Sequence, residues 1–226
     1  IHFINMIAVL EDSAIKKDLG ILNSCWKNKE PFILWNSNTK TDNSLFEGID
    51  LKKDGFSSNV FLISTSGSTG MPKLIVASKD RAVGICEKIS YAQSLYQCQD
   101  IVVSLPLTYS FAFINQFVYS GLSSKSLIVS NGISKPNEYL KILQNSKDSM
   151  LCLVGSQFNI LKKYIGSLVF PNVRIINFAG GKFPQQEVEV IERMFPNAQI
   201  FNNYGCTEAV PRLTVTNAKE MKQHKT

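Results

Sequence analysis

Histidine is almost missing from this chain. Of 226 residues only His2 and His224 are histidine, one near each end, and neither has a partner at metal-ligand spacing. Both read as bystanders. The five cysteines (Cys25, Cys86, Cys98, Cys152 and Cys206) are an odd number with no C-x-x-C pair. That argues against a disulfide framework or a zinc site and predicts free or buried thiols in a reducing cytoplasm. No apolar run approaches the roughly 18 residues of a membrane-crossing helix. The opening "IHFINMIAVL" lacks the basic flank and small-residue cleavage site of a signal peptide, so cytoplasmic localisation is expected. The net charge is +6, but the lysines and arginines are scattered and form no stripe interleaved with aromatics. A nucleic-acid partner is therefore not expected, and most of the basic surface reads as solvated.

What the chain does have is an ordinary globular composition, 44% hydrophobic and 19% charged. From residue 60 onward, short apolar runs rich in β-branched residues recur: "NVFLIS", "KLIVAS", "DIVVSL", "KSLIVS", "MLCLVG", "VRIINF" and "AQIFNN". Their nearly continuous apolar character fits strands covered on both faces. Helical stretches lie between them. Ser78 is placed to cap one, and Pro136 and Pro184 open two others as first-turn prolines, the second ending before Pro196. Strands alternating with helices predict an α/β fold, a layered sandwich with a mainly parallel sheet flanked by helices. Residues 1–59 are polar and turn-rich, and read as a peripheral lead-in with one helix (about 11–28) and edge strands such as "PFILW". Residues 60–213 read as the core, and 214–226 as a tail.

Between two of the strands lies "STSGSTGMPK" (64–73), with two glycines, five hydroxyl residues and a lysine. A simple hairpin needs only two to five loop residues. A loop with free backbone N–H groups, hydroxyl donors and a nearby cation suits a polyphosphate. Gly67 and Gly70 let the backbone approach the anion, and Lys73 supplies charge. The spacing is not that of a Walker loop, because Met71 and Pro72 follow Gly70 and the loop leads into a strand. The dinucleotide fingerprint G-x-G-x-x-G is absent, and G-S-T-G is not the nucleophile elbow G-x-S-x-G.

"LISTSGSTGMPK" (62–73) resembles the signature loop of the AMP-forming adenylating enzymes: acyl- and aryl-CoA synthetases, luciferases and peptide synthetase adenylation domains. "SLPLTYSFAFIN" (104–115) resembles their acid-pocket segment, and "FAGGKFPQQEVEVIERMFPNAQIFNNYGCTEA" (178–209) their adenine-side stretch, ending in Y-G-x-T-E. The resemblance spans residues 60–210 and implies the partial N-terminal core domain of such an enzyme. It implies that Thr65, Ser66, Gly67, Ser68, Thr69, Gly70 and Lys73 grip the triphosphate of ATP. By the same resemblance Tyr204 packs on adenine with Gly205 beside it, Asn203 hydrogen-bonds the adenine edge, and Gly180 and Gly181 lie against the ligand. Thr207 contacts the α-phosphate and Glu208 holds Mg²⁺, so Lys73, Thr207 and Glu208 carry the catalytic roles.

The implied reaction is attack of a carboxylate on the α-phosphorus of ATP, giving acyl-adenylate and pyrophosphate, with CoA or a carrier protein as the later acceptor. Tyr109, Phe111, Gly180 and Lys182 are the implied substrate contacts. "YSFAFIN" holds no Asp or Glu to pair with a substrate ammonium, and an unpaired buried charge is costly. An aryl, short-chain or fatty acid is therefore expected rather than an amino acid, and an acyl-CoA ligase rather than an amino-acid ligase. The family's ribose aspartate and small C-terminal domain have no counterpart here. The chain is thus expected to be the core of a larger ligase, a short relative completed by a partner, or a non-catalytic nucleotide- or acyl-binding module.

Overall fold

The structure, a computed structural model, describes residues 2–4, 7–36, 49, 58–65 and 73–223. The α/β layering that the alternation of strands and helices predicts is present, with the strands divided between two sheets rather than one. The first has five strands in the order β1-β2-β3-β4-β5: His2–Ile4, Ile7–Glu11, Phe32–Trp35, Val60–Ser64 and Leu74–Ser78. The second has six in the order β11-β10-β9-β8-β6-β7. Here β6 is Asp100–Val103, β7 Ser126–Val129, β8 Ser149–Leu153, β9 Val173–Phe178, β10 Gln199–Tyr204 and β11 Thr214–Asn217. The second sheet is parallel except for the β10–β11 pair, whereas the first is parallel at β2–β3–β4 and antiparallel at both ends.

Alternation along the strands decides the layers, because successive side chains leave a strand on opposite faces. Leu10, Phe32, Leu34, Phe61 and Ile63 of the first sheet join Ile101, Val103, Met150, Cys152 and Phe201 of the second in one core. Between them lie helix Lys79–Ala92 and the helical run 110–122. The intervening residues turn the other way. Val102, Leu151, Leu153 and Ile176 pack under the outer helices Pro136–Asn145, Gly155–Ile165 and Val188–Met194, while Val9, Ile33, Trp35 and Leu62 form a third, smaller cluster.

The first 59 residues contribute more than the peripheral lead-in that their composition suggests. β3 is the middle strand of its sheet and buried at all four positions, which is why "FILW" is apolar without alternation. The helix expected over about 11–28 is two helices, Asp12–Lys17 and Leu19–Lys27, divided at Asp18, whose carboxylate caps the second by accepting from Gly20 N (2.8 Å). Lys79, only 4% exposed, donates through Nζ to the carbonyls of Cys25, Trp26 and Asn28 at the end of that helix. Trp26, Phe32 and Phe61 then meet Phe113 at ring separations of 5.5, 6.3 and 5.0 Å. The residues after 213 likewise form β11 and helix Ala218–Gln223 rather than a loose tail.

Candidate active site

The β4–β5 pair is antiparallel, with Ser64 opposite Leu74. Its neck is closed by Thr65 N donating to Lys73 O (2.8 Å) and Lys73 N to Thr65 Oγ1 (3.1 Å). Thr65 and Lys73 are therefore the two feet of the glycine–hydroxyl loop. Ser66, Gly67, Ser68, Thr69 and Gly70 lie outside the described residues.

A second turn faces these feet. β9 and β10 run parallel side by side and end together at Phe178 and Tyr204, the kind of carboxyl edge where open α/β sheets bind ligands. The chain leaves β10 through Gly205 and Cys206, makes the short helical turn Thr207–Ala209, and returns as β11. Leu213 N donates to Tyr204 O (3.0 Å), closing that turn. Glycine is required at 205, since a Cβ there would lie 1.8 Å from the carbonyl oxygen of Pro211. Gly180 adopts φ +69°, the left-handed region that glycine enters without strain.

One cavity of about 360 Å³ is lined from both sides. Thr65 and Lys73 border it from the first sheet. Ala179, Gly180, Asn203, Tyr204, Gly205, Cys206, Thr207 and Glu208 border it from the second, and Ser110 and Phe111 from the start of the helical run. Tyr204 is 68% exposed, and Glu208 is exposed as well. Ser110 Oγ and Thr207 Oγ1 stand 3.3 Å apart.

A family model for AMP-binding enzymes matches residues 14–226. The chain belongs to the AMP-binding enzyme family. Among curated relatives it is 29% identical over 181 residues to the delta-poly-L-ornithine synthetase of Acinetobacter baumannii, covering 76% of this chain and 12% of that protein. It is 24% identical over 217 residues to the D-alanine–D-alanyl carrier protein ligase of Bacillus licheniformis, covering 87% and 42%. The chain thus spans less than half the length of these two relatives. The fold matches o-succinylbenzoate CoA synthetase of Bacillus subtilis in complex with its acyl-adenylate intermediate. The TM-score is 0.73 at 15% identity, over 96% of this chain and 66% of that one. The same enzyme in complex with ATP and magnesium matches with a TM-score of 0.58 at 16% identity, over 72% and 33%.

Not every residue expected at the site reaches this cavity in the expected way. Asn203 lines it but is 4% exposed, and its amide is engaged inside the protein. Nδ2 donates to Asn177 Oδ1 (2.8 Å) and Phe178 O (3.1 Å), and Oδ1 accepts from Gln93 Nε2 (2.9 Å) and from Arg212 Nη1. It is a bracket for its neighbours more than a hand held out to a base. Gly181 and Lys182 border an adjoining hollow of about 700 Å³ with Gly155, Ser156 and Asn159, which meets the first at Gly180. Tyr109 lies outside the lining of both. It precedes the helical run, donating its N–H to Pro106 O (3.0 Å).

The residue that sequence reasoning missed is Arg212. Half-buried at the cavity wall, it donates through Nη2 to Asn115 Oδ1 (2.9 Å) and through Nη1 to Asn203 Oδ1. Its guanidinium carbon lies 5.8 Å from the Phe111 ring centre. Burial pushes this guanidinium down to about 10, against a smaller upward pull from Cys152. The run 110–122 makes the arrangement possible by widening into a π-helix over Phe113–Val118, a distortion that often marks functional sites. Asn115 Nδ2 returns to Phe111 O (2.7 Å), leaving Oδ1 to accept from Arg212. The available signal was an arginine four residues past Y-G-C-T-E in a chain whose basic residues are mostly lysine.

Proposed function

We propose that the cavity binds ATP with Mg²⁺ and that the protein activates a carboxylic acid. A carboxylate oxygen bonds to the α-phosphorus, the bond from that phosphorus to the bridging oxygen breaks, and pyrophosphate leaves, giving acyl-adenylate. One observation carries this reading: both feet of the glycine–hydroxyl loop share a single cavity with Tyr204, Thr207 and Glu208. The exposed Tyr204 ring offers a face to adenine, Lys73 and the loop donors meet the triphosphate, and the Thr207 hydroxyl addresses the α-phosphate. Such chemistry asks for positioning and charge neutralisation rather than an acid–base pair.

The donor set fits magnesium. Glu208 is a single exposed carboxylate that lines the cavity together with Thr207 and Ser110. Mg²⁺ is commonly held in this way, by one or two carboxylates with substrate phosphates and water completing its shell. Bound there, it would neutralise charge on the phosphates.

The acid is aryl, short-chain or fatty. The two curated relatives are named for amino-acid substrates, whereas the segment Tyr109–Asn115 of this chain has no carboxylate to pair with a substrate ammonium, and the cation Arg212 lines the cavity. With such an acid, CoA is the acceptor thiol we assign, a carrier protein being the alternative.

Cys206 provides the test, because it is exposed and lines the cavity, while Cys86, Cys98 and Cys152 are buried. Alkylation followed residue by residue by mass spectrometry should slow at Cys206 by about tenfold when Mg·ATP is present at ten times its Kd. Acid-dependent ATP–pyrophosphate exchange should accompany it. Unchanged alkylation at any nucleotide concentration would overturn the reading; protection without exchange would make the chain a nucleotide-binding module.

A further inference from the structure

The geometry points to Arg212 as the receptor for a second carboxylate on the acid, at the end of the substrate away from the reacting one. This rests on the proposed function and narrows its substrate class to dicarboxylic acids. Three observations converge. First, Arg212 has five N–H donors, and the bonds to Asn115 and Asn203 occupy two of them. Second, among the described residues no carboxylate lies within ion-pair distance of it, although such a desolvated cation ordinarily has an anion. Third, its two supports are nearly fully buried, Asn115 at 1% and Asn203 at 4%, so the fork is held in a fixed orientation at the cavity wall.

The direction follows from what shares the cavity. Lys73 and Glu208 are exposed and belong to the triphosphate and its metal, and Thr207 marks the α-phosphate where the first carboxylate reacts. Arg212 sits inward of them, braced on the buried asparagines and stacked near Phe111. A planar fork with spare donors matches a carboxylate bidentately, which a lysine in the same place would not. The Phe111 ring beside it offers apolar contact to the body of the acid.

The test uses four probe acids titrated calorimetrically into the protein with Mg²⁺ and the non-cleavable analogue AMPCPP: terephthalate against benzoate, and adipate against hexanoate. At least one diacid should bind between about 10- and 100-fold more tightly than its monoacid, the range of a hydrogen-bonded charge. Arg212→Met should abolish that preference, and Arg212→Lys should recover only part of it. Protection of Cys206 by Mg·ATP in the Met variant reports whether the β10–β11 turn survives. If the preference and the protection disappear together, Arg212 is only a brace and the inference fails. Equal or weaker binding of both diacids by the unaltered protein also overturns it. Because Cys206 protection is read without any acid, its absence in the unaltered protein would instead sink the nucleotide reading.

Discussion

Two cations border the same cavity and are held in opposite ways. Lys73 is exposed at the foot of a loop, its backbone tied to Thr65 and its ammonium on a flexible stem. Arg212 is half-buried, with its fork fixed by two asparagines and an aromatic ring. A mobile point charge suits a polyphosphate that arrives hydrated with its own metal. A fixed planar fork suits a ligand of defined shape. On the proposed function, the difference would separate a side of the cleft that accepts a common cosubstrate from a side that selects.

The strongest way to break this contrast is to loosen the frame behind Arg212. Phe113 is fully buried, meets Phe61, Phe117 and Trp26, and belongs to the helical run that presents Asn115. Phe113→Ala should destabilise the protein by about 3–5 kcal/mol, seen as a lowered denaturant midpoint, and weaken acid binding more than nucleotide binding. Equal losses on both sides would mean that the frame does not distinguish them. The reverse experiment acts on the other cation. Lys73→Met should cost about tenfold in triphosphate affinity, a modest figure for an exposed charge, and much less in AMP affinity. A uniform loss would make Lys73 structural.

The smallest effect concerns the thiols of the frame. Burial pushes Cys86 and Cys98 up to about 12 from an ordinary 9.0, and Cys86 Sγ donates to the Ile114 carbonyl at 3.7 Å. An acid whose pKa is raised by folding contributes stability that is complete below the unfolded value and is lost as pH rises through the folded one. The melting temperature should therefore hold to about pH 9 and fall from there towards pH 12. In the Cys86→Ala, Cys98→Ala double variant the fall should be shallower; an identical slope would assign the alkaline loss to other groups.

Of this contrast only the Lys73 side was legible in residue types, as was most of the strand layout, and the limits have physical reasons. Every strand expected after residue 60 is present, and the central parallel ones, β8 and β9 among them, were readable because a strand covered on both faces is apolar nearly throughout. The family loop and the Y-G-C-T-E stretch were readable because each gathers its residue types in one short contiguous run. Helix Gly155–Ile165 was not, since its N-cap is Val154 rather than a hydroxyl or amide residue and no proline opens it; Gln157 Oε1 instead accepts from Val154 N at 3.2 Å. Residues 7–35 looked peripheral because the polar stretch after them dominates the composition of the first 59, while the partners that bury β3 are distant in sequence. Arg212 was invisible for the same reason. What fixes its orientation is Asn115, 97 positions away.

The β10–β11 turn carries both Thr207 and Arg212, five residues apart on one closed turn. On the dicarboxylate proposal, that short covalent link would limit the span between the reacting end of the acid and its far anchor, a ruler for chain length beside a test for charge. One residue inserted or deleted between Glu208 and Arg212 should change which homologue in a series fits.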